Sequence, residues 1–272
     1  KDLKYKNINY LELNKFQKQI NFFKKKFSII NFEDLLEVLN SKKVYKKPLL
    51  VLTFDDGYMD HYQYAYPILL KEKIKGLFYP FANILKKGFI SDINKIHFIL
   101  ANIKNKNVLL IEINKYLKKN TTFKIELLKK AKETTDTNRR YGNENIGFIK
   151  RILQYYLPKE IRLKLNDYLF KKYVTNEIHE FANNLYLKKK NMLEMKSDGM
   201  HFGSHGYNHE WLQYLSFKDQ EFDIVNSLKF LKKIFQKEKL FSICYPYGSY
   251  NTNTLALAKK YKFVLGFTNR LG

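Results

Sequence analysis

The chain has 272 residues, 45% of them hydrophobic and 16% aromatic, enough for one large α/β domain or two small ones. Its net charge of +24 invites a polyanion partner, yet only five of fifty basic residues are Arg, and the lysines are spread along the chain. Arg is the residue suited to bidentate phosphate and base contacts, so this pattern argues against nucleic acid; any residual attraction would be to an acidic glycan or a lipid phosphate. No apolar run approaches the ~18 residues of a membrane span, and the single Cys244 excludes an internal disulfide framework or a cysteine zinc cluster.

The chain opens Lys1-Asp2 rather than with Met, so a preceding segment is expected to be missing. The compartment stays open between cytoplasm and cell envelope, with peripheral membrane association permitted. "YLELNKFQKQINFFKKKF" (10–27) spaces its apolar residues as an amphipathic helix. "FSII" (27–30) predicts a short strand, with Asn31 as N-cap of the helix "FEDLLEVLN". "PLLVLTF" (48–54) predicts a buried strand, 60–72 a helix, and "GLFYPF" (76–81) the next buried strand. Alternation of this kind argues for a parallel sheet or barrel.

From about 93 to 195 the pattern is helical throughout, in "INKIHFILANI", "TFKIELLKKAKE", "NIGFIKRILQYYL", "KEIRLKLNDYLFKKYV" and "IHEFANNLYLKKKNMLEM". The expectation is one domain over 1–272 carrying a helical insertion at about 93–195. Strands resume with "MHFGS" (200–204), "FSICYP" (241–246) and "KFVLGFT" (262–268), separated by helices at 217–234 and near 253–261.

Three strand ends carry the chemistry. In "TFDDG" (53–57), Asp55 and Asp56 stand side by side where a buried strand stops, and two adjacent carboxylates call for a nearby cation. In "HGYNH" (205–209), His205 and His209 are four apart; on a helical turn they share one face and reach one ion. Two imidazoles and one carboxylate make a three-ligand site with open positions, the pattern of a catalytic metal. Asp56 is then the ligand, and Asp55 is left to deprotonate a water. The plainer alternatives are a histidine-bearing surface loop and an Asx turn before Gly57. In "ICYPYGSYN" (243–251), Pro246 and Gly248 fix an irregular turn that can aim a backbone N–H at an oxyanion. Tyr58, Tyr207, Trp211 and Tyr247 lie near these motifs as candidates to stack on sugar rings.

With all three in view, the sequence resembles the polysaccharide deacetylases, the NodB-homology carbohydrate esterases of family four, from about residue 48 to 268. The resemblance implies a distorted (β/α)7-8 barrel, usually with zinc, that removes acetyl groups from N-acetylated sugars. It implies Asp55 as catalytic base, Asp56, His205 and His209 as ligands of a divalent ion (most often Zn2+), and Tyr247 as oxyanion donor through its backbone N–H. The expected substrate is an N-acetyl or N-formyl sugar, polymeric or lipid-linked; "SDINKIHFILA" (91–101) is reminiscent of members encoded among capsule and lipopolysaccharide genes. Three departures stand out. Gly206 replaces the usual Ser or Thr after the first His, and Cys244 replaces an Arg that often pairs with the catalytic Asp. No late motif supplies a general-acid His, which leaves His97 and His201 as weak candidates. The competing reading is a catalytically weak glycan-binding protein that keeps the fold. An iron-dependent oxygenase triad is disfavoured because it leaves Asp55 without a role.

Overall fold

The computed structural model describes residues 7–41, 45–121 and 144–270; the helix expected over 122–133 lies outside them. Helix α1 (Leu13–Lys26) leads into strand β1 (Ser28–Ile29) and helix α2 (Phe32–Asn40). Asn31 caps α2 as the sequence predicts: its side chain accepts from the Asp34 N–H at 2.8 Å, and Asp34 accepts in return from the Asn31 N–H at 3.2 Å.

The single strand expected at 48–54 forms as two pieces, β2 (Leu49–Leu50) and β3 (Thr53–Asp55), half-buried or exposed rather than buried. The reason is a change of partner. β2 runs parallel to β1, whereas β3 runs parallel to β4 (Leu77–Tyr79) on the other side. Between them, a five-residue π turn (His61–Ala65) opens α3 (Tyr66–Lys71), where an uninterrupted helix was expected. Pro67 explains the wider turn, since it has no N–H to continue the ordinary i−4 ladder.

After β4 comes a 3-10 turn (Ala82–Leu85), followed by α4 (Asp92–Asn102), α5 (Lys106–Asn120), α6 (Glu144–Arg151) with a π turn (Ile152–Tyr156), and α7 (Lys159–Tyr173). Helices α8 (Ile178–Leu185) and α9 (Lys189–Ser197) lead to β5 (His201–Phe202). Then follow α10 (Phe217–Ile234), β6 (Phe241–Cys244), α11 (Thr252–Lys260) and β7 (Phe263–Phe267). No described helix is long and apolar enough to cross a membrane.

The chain divides into two compact units, Lys1–Tyr10 with Ile90–Ile178, and Leu11–Phe89 with His179–Gly272. In the first, α4 and α7 pack through buried residues such as Ile96, Ile99, Leu165 and Leu169, and Lys95 pairs with Asp167 at 2.6 Å. The second holds every strand found among the described residues. Its ladders are all parallel: β1–β2, β3–β4–β5 and β6–β7, with a parallel bridge from Ser204 to Ile243 joining β5 to β6. The strands thus follow one another in sequence order as an arc of the distorted α/β barrel, and among the described residues no ladder joins β7 to β1. Tyr186 and Leu187, from the link between α8 and α9, and Met192 and Met195, from α9, pack into the same core as Phe78 and Phe202.

Strand alternation sorts the side chains. Phe78, Phe202 and Phe241 join the helix-facing core, while Leu77 and Tyr79 pack with Phe32, Leu265 and Phe267 on the opposite face. Also buried there, His201 stacks on Phe32 at 3.5 Å and its Nε2 lies 2.9 Å from Ser242 Oγ, which in turn meets the Tyr79 hydroxyl at 2.8 Å. Burial, with help from Lys196, lowers the His201 pKa to about 3. Burial likewise lowers His61 to about 4, against the opposing pull of Asp56.

Both groups take up protons more readily in the unfolded chain, so their contribution is intact above the ordinary value of 6.5 and is lost as pH falls towards 3–4. Denaturant titrations across this window should show falling stability. His201→Gln, which keeps a hydrogen-bonding group but no titration, should flatten the slope by up to about 1.4 kcal/mol per pH unit, one proton's worth. An identical slope in the variant would show that His201 takes no part.

Candidate active site

Each expected site residue follows a parallel strand at its C-terminal end. Asp55 closes β3, in register with Tyr79 of β4. Asp56 and Gly57 then both adopt left-handed backbone, at φ 71° and 68°. This reversal separates the directions in which the adjacent carboxylates leave the chain. Asp55 is exposed, while the Asp56 side chain is only 16% exposed. Gly57 is required twice over, because a Cβ there would lie 2.7 Å from the Pro80 Cβ and would also have to tolerate the positive φ.

After β5, the segment 205–209 is an irregular loop and not the helical turn that would put His205 and His209 on one face. Gly206 and His209 have φ 76° and 61°, which breaks any helical path. The loop nevertheless brings the two imidazoles together, with ring centroids 4.9 Å apart. The His209 Nε2 is 3.1 Å from Asp56 Oδ1, and the His205 Nε2 is 3.6 Å from the same oxygen. Among the described residues, Asp56, His205 and His209 form one group able to hold an ion; Asp55, His205 and Cys244 form a second that shares His205.

The hydrogen bonding fits a cation at the first group. A backbone carbonyl can only accept, so the 2.7 Å contact from His205 Nδ1 to the Cys244 carbonyl fixes the proton on Nδ1. Nε2 then presents a lone pair towards Asp56. Asp56 Oδ1 is itself buried and makes no aligned hydrogen bond, so two electron-rich atoms face each other. Separations of 3.1 and 3.6 Å bracket the roughly 3.3 Å between donors that each stand about 2.0–2.1 Å from a tetrahedral ion.

The electrostatics agree. Burial would raise the Asp56 pKa, but His209 and His205 outweigh it and hold the carboxyl well below the usual range. Burial and the neighbouring His209 lower His205 and keep it neutral. His209 is pushed down by burial too, yet the charge of Asp56 prevails and its pKa is raised.

Tyr247 follows β6 in a 3-10 turn over Pro246–Gly248, with its own backbone at φ 59°. Its ring meets the His209 ring edge-to-face at 4.6 Å and stacks on Trp211 at 4.0 Å, nearly parallel. Of the other aromatics proposed for stacking, Tyr207 packs on Phe222 at 5.5 Å and Tyr58 on Tyr186 at 6.4 Å. Cys244 lies beside Asp55; burial, reinforced by the charges of Asp55 and Asp56, raises its thiol pKa and keeps it protonated. Of the weak general-acid candidates, His201 is committed to Ser242, and His97 belongs to α4 of the first unit.

The sequence reading passed over two residues. His61 lies five positions beyond Asp56 and packs edge-on against Phe54 and Tyr58. Asp223, in the middle of α10, is buried with both oxygens on the backbone of the histidine loop. His61 was discoverable from its closeness to the TFDDG motif, whereas nothing in the local pattern of α10 marks Asp223.

The polysaccharide deacetylase family model matches residues 42–109 and 158–266, more than half of the chain. The chain belongs to the polysaccharide deacetylase family. The matched stretches leave 110–157 outside, within the helical segment. No curated protein matches the sequence at a significant level. The fold is similar to that of the Streptococcus pyogenes deacetylase PplD, at TM-score 0.57 and 19% identity over 100% of this chain and 79% of that one. IcaB from Ammonifex degensii gives 0.56 and 15%, over 97% and 81% of the two chains. The de-N-acetylase from Aggregatibacter actinomycetemcomitans gives 0.53 and 15%, over 96% and 80%. The likeness to these three structures is one of fold.

Gly57→Ala tests the tightness of the deacetylase's carboxylate turn. The left-handed conformation alone costs about 1–2 kcal/mol for a residue with a Cβ, and the approach to Pro80 adds to it. Urea unfolding should show a clearly lower midpoint, and a wild-type midpoint would mean that the turn is not held as described.

Proposed function

We propose that this deacetylase is a metal-dependent hydrolase that removes an N-acetyl or N-formyl group from a sugar of a cell-surface polysaccharide or its lipid-linked precursor. The observation that carries the reading is the convergence of one buried carboxylate oxygen and two imidazole Nε2 atoms beside a second, exposed carboxylate. Asp56, His205 and His209 would hold a divalent ion, with Zn2+ favoured by the mixed nitrogen and oxygen donors. When bound, such an ion polarises the acyl carbonyl and acidifies water.

The rest of the chemistry belongs to the chain. Asp55, open to solvent beside His205, takes the proton of the attacking water. The Tyr247 N–H donates to the oxyanion as the carbonyl carbon becomes tetrahedral. As the C–N bond breaks, the proton held by Asp55 passes to the departing sugar nitrogen, directly or by way of solvent, and the freed acid loses its remaining proton to water as acetate or formate. The similar Streptococcus pyogenes protein is a deacetylase obtained in complex with acetate, which favours the acetyl form of the reaction. The Tyr247–Trp211 stack, next to His209, supplies an aromatic wall against which a sugar ring can lie.

A glycan-binding protein with little activity is the competing reading, and it draws on Cys244 in place of the Arg often found beside the base. Acyl-release assays on N-acetylated and N-formylated saccharides separate the two. Asp55→Asn should lower release by about 10²–10⁴-fold while bound metal, by elemental analysis, stays at the wild-type level. His205→Ala and His209→Ala should lose the ion. Release that survives Asp55→Asn unchanged would remove Asp55 as base, and full metal occupancy in both histidine variants would remove the centre.

A further inference from the structure

The three residues between the two histidines are held from both sides. On one side, the Gly206 and Tyr207 carbonyls accept from the Ala82 and Asn83 N–H groups at 3.0 and 3.2 Å, and the Asn83 side-chain amide donates to Asn208 Oδ1. On the other, α10 reaches in with two residues one turn apart. Asp223 Oδ1 accepts from the Tyr207 N–H at 2.9 Å, and its Oδ2 accepts from the Asn208 N–H at 3.3 Å. Ser227 Oγ accepts from Ser204 Oγ at 2.8 Å, and Ser204 Oγ accepts from the Gly206 N–H at 3.1 Å. Three consecutive N–H groups are thereby tied to one helix, two directly and one through Ser204.

The loop needs such a clamp. His209 sits at φ 61°, a left-handed conformation that is strained for a residue with a side chain and persists only where its surroundings enforce it. Asp223 also occupies the space a side chain at position 206 would fill: a Cβ on Gly206 would come 2.8 Å from Asp223 Oδ1. The glycine and the carboxylate are therefore one device, in which a distant helix supplies the acceptor that the residue after the first histidine does not carry.

We propose that Asp223 is a positioning residue, holding the backbone at 207–208 so that the His209 Nε2 points at Asp56 Oδ1. The assignment rests on the metal-centre reading given above. Supports of this kind, one step removed from the ligands, typically change metal affinity 10–100-fold when lost.

Asp223→Asn keeps the shape but replaces one acceptor with a donor that faces an N–H. Zn2+ affinity by chelator competition, the visible absorption of the Co2+-loaded protein, and thermal unfolding of the metal-free protein are measured together, with His209→Ala alongside. The expected result is Zn2+ binding weakened about 10–100-fold and altered Co2+ bands, beyond any change explained by the metal-free unfolding temperature. If Asp223→Asn does not fold, Ser204→Ala, which removes both the Gly206 tie and its link to Ser227, should weaken Zn2+ binding several-fold with the same spectral change, and wild-type affinity and spectrum in it would overturn the clamp. Wild-type affinity and spectrum in the folded variant, with the ion lost from His209→Ala, would overturn the role of Asp223 alone. Retention of the ion by His209→Ala as well would overturn the metal centre and the assignment with it.

Discussion

Everything at the C-terminal end of the strands is arranged around one unfavourable encounter. Asp56 Oδ1 is buried facing the lone pair of His205 Nε2, whose tautomer is fixed by the Cys244 carbonyl. Such an arrangement is stable in a low-dielectric interior only if positive charge stands between the atoms. The charge of Asp56 draws a proton towards His209, which is why the His209 pKa rises despite burial. A divalent ion supplies the positive charge, and the donor spacing suits one. The left-handed pair Asp56–Gly57, the irregular 205–209 loop and the clamp from α10 all serve to hold that encounter in place.

Much of this was legible in the sequence because the signals are local. Apolar strands ending in TFDDG and MHFGS mark where side chains emerge from a parallel sheet, and Asn31 announces α2 through its own capping chemistry. Helix α10 spans 217–234 as read, because its apolar spacing and the Ser216 cap agree. The failures are of another kind. The strand at 48–54 splits because its two halves pair with different neighbours, which no local pattern records. The π turn before Pro67 required attention to a missing donor rather than to periodicity. The two histidines meet through positive φ at Gly206 and His209, not through a helical turn. Asp223 was invisible because its partners are backbone N–H groups fifteen and sixteen residues away, and backbone groups have no sequence signature.

The departures from the family motifs also change meaning once atoms are in view. Cys244 read as the loss of an arginine, yet its carbonyl orients His205, a task indifferent to the side chain. Its thiol stays protonated beside Asp55, a neutral neighbour where a cation often stands. Gly206 read as the loss of a hydroxyl, and it is instead the space into which Asp223 fits.

The face-to-face contact of Trp211 with Tyr247 has a practical consequence. Trp211 is the only tryptophan in the chain, and its indole lies flat on a ring that abuts His209. Tryptophan emission, excited selectively over that of the 21 tyrosines, therefore arises one ring away from His209. Any occupant that displaces the phenol ring, or any shift of the turn at 246–248, must alter that signal. The molecule carries its own optical reporter, readable without a label.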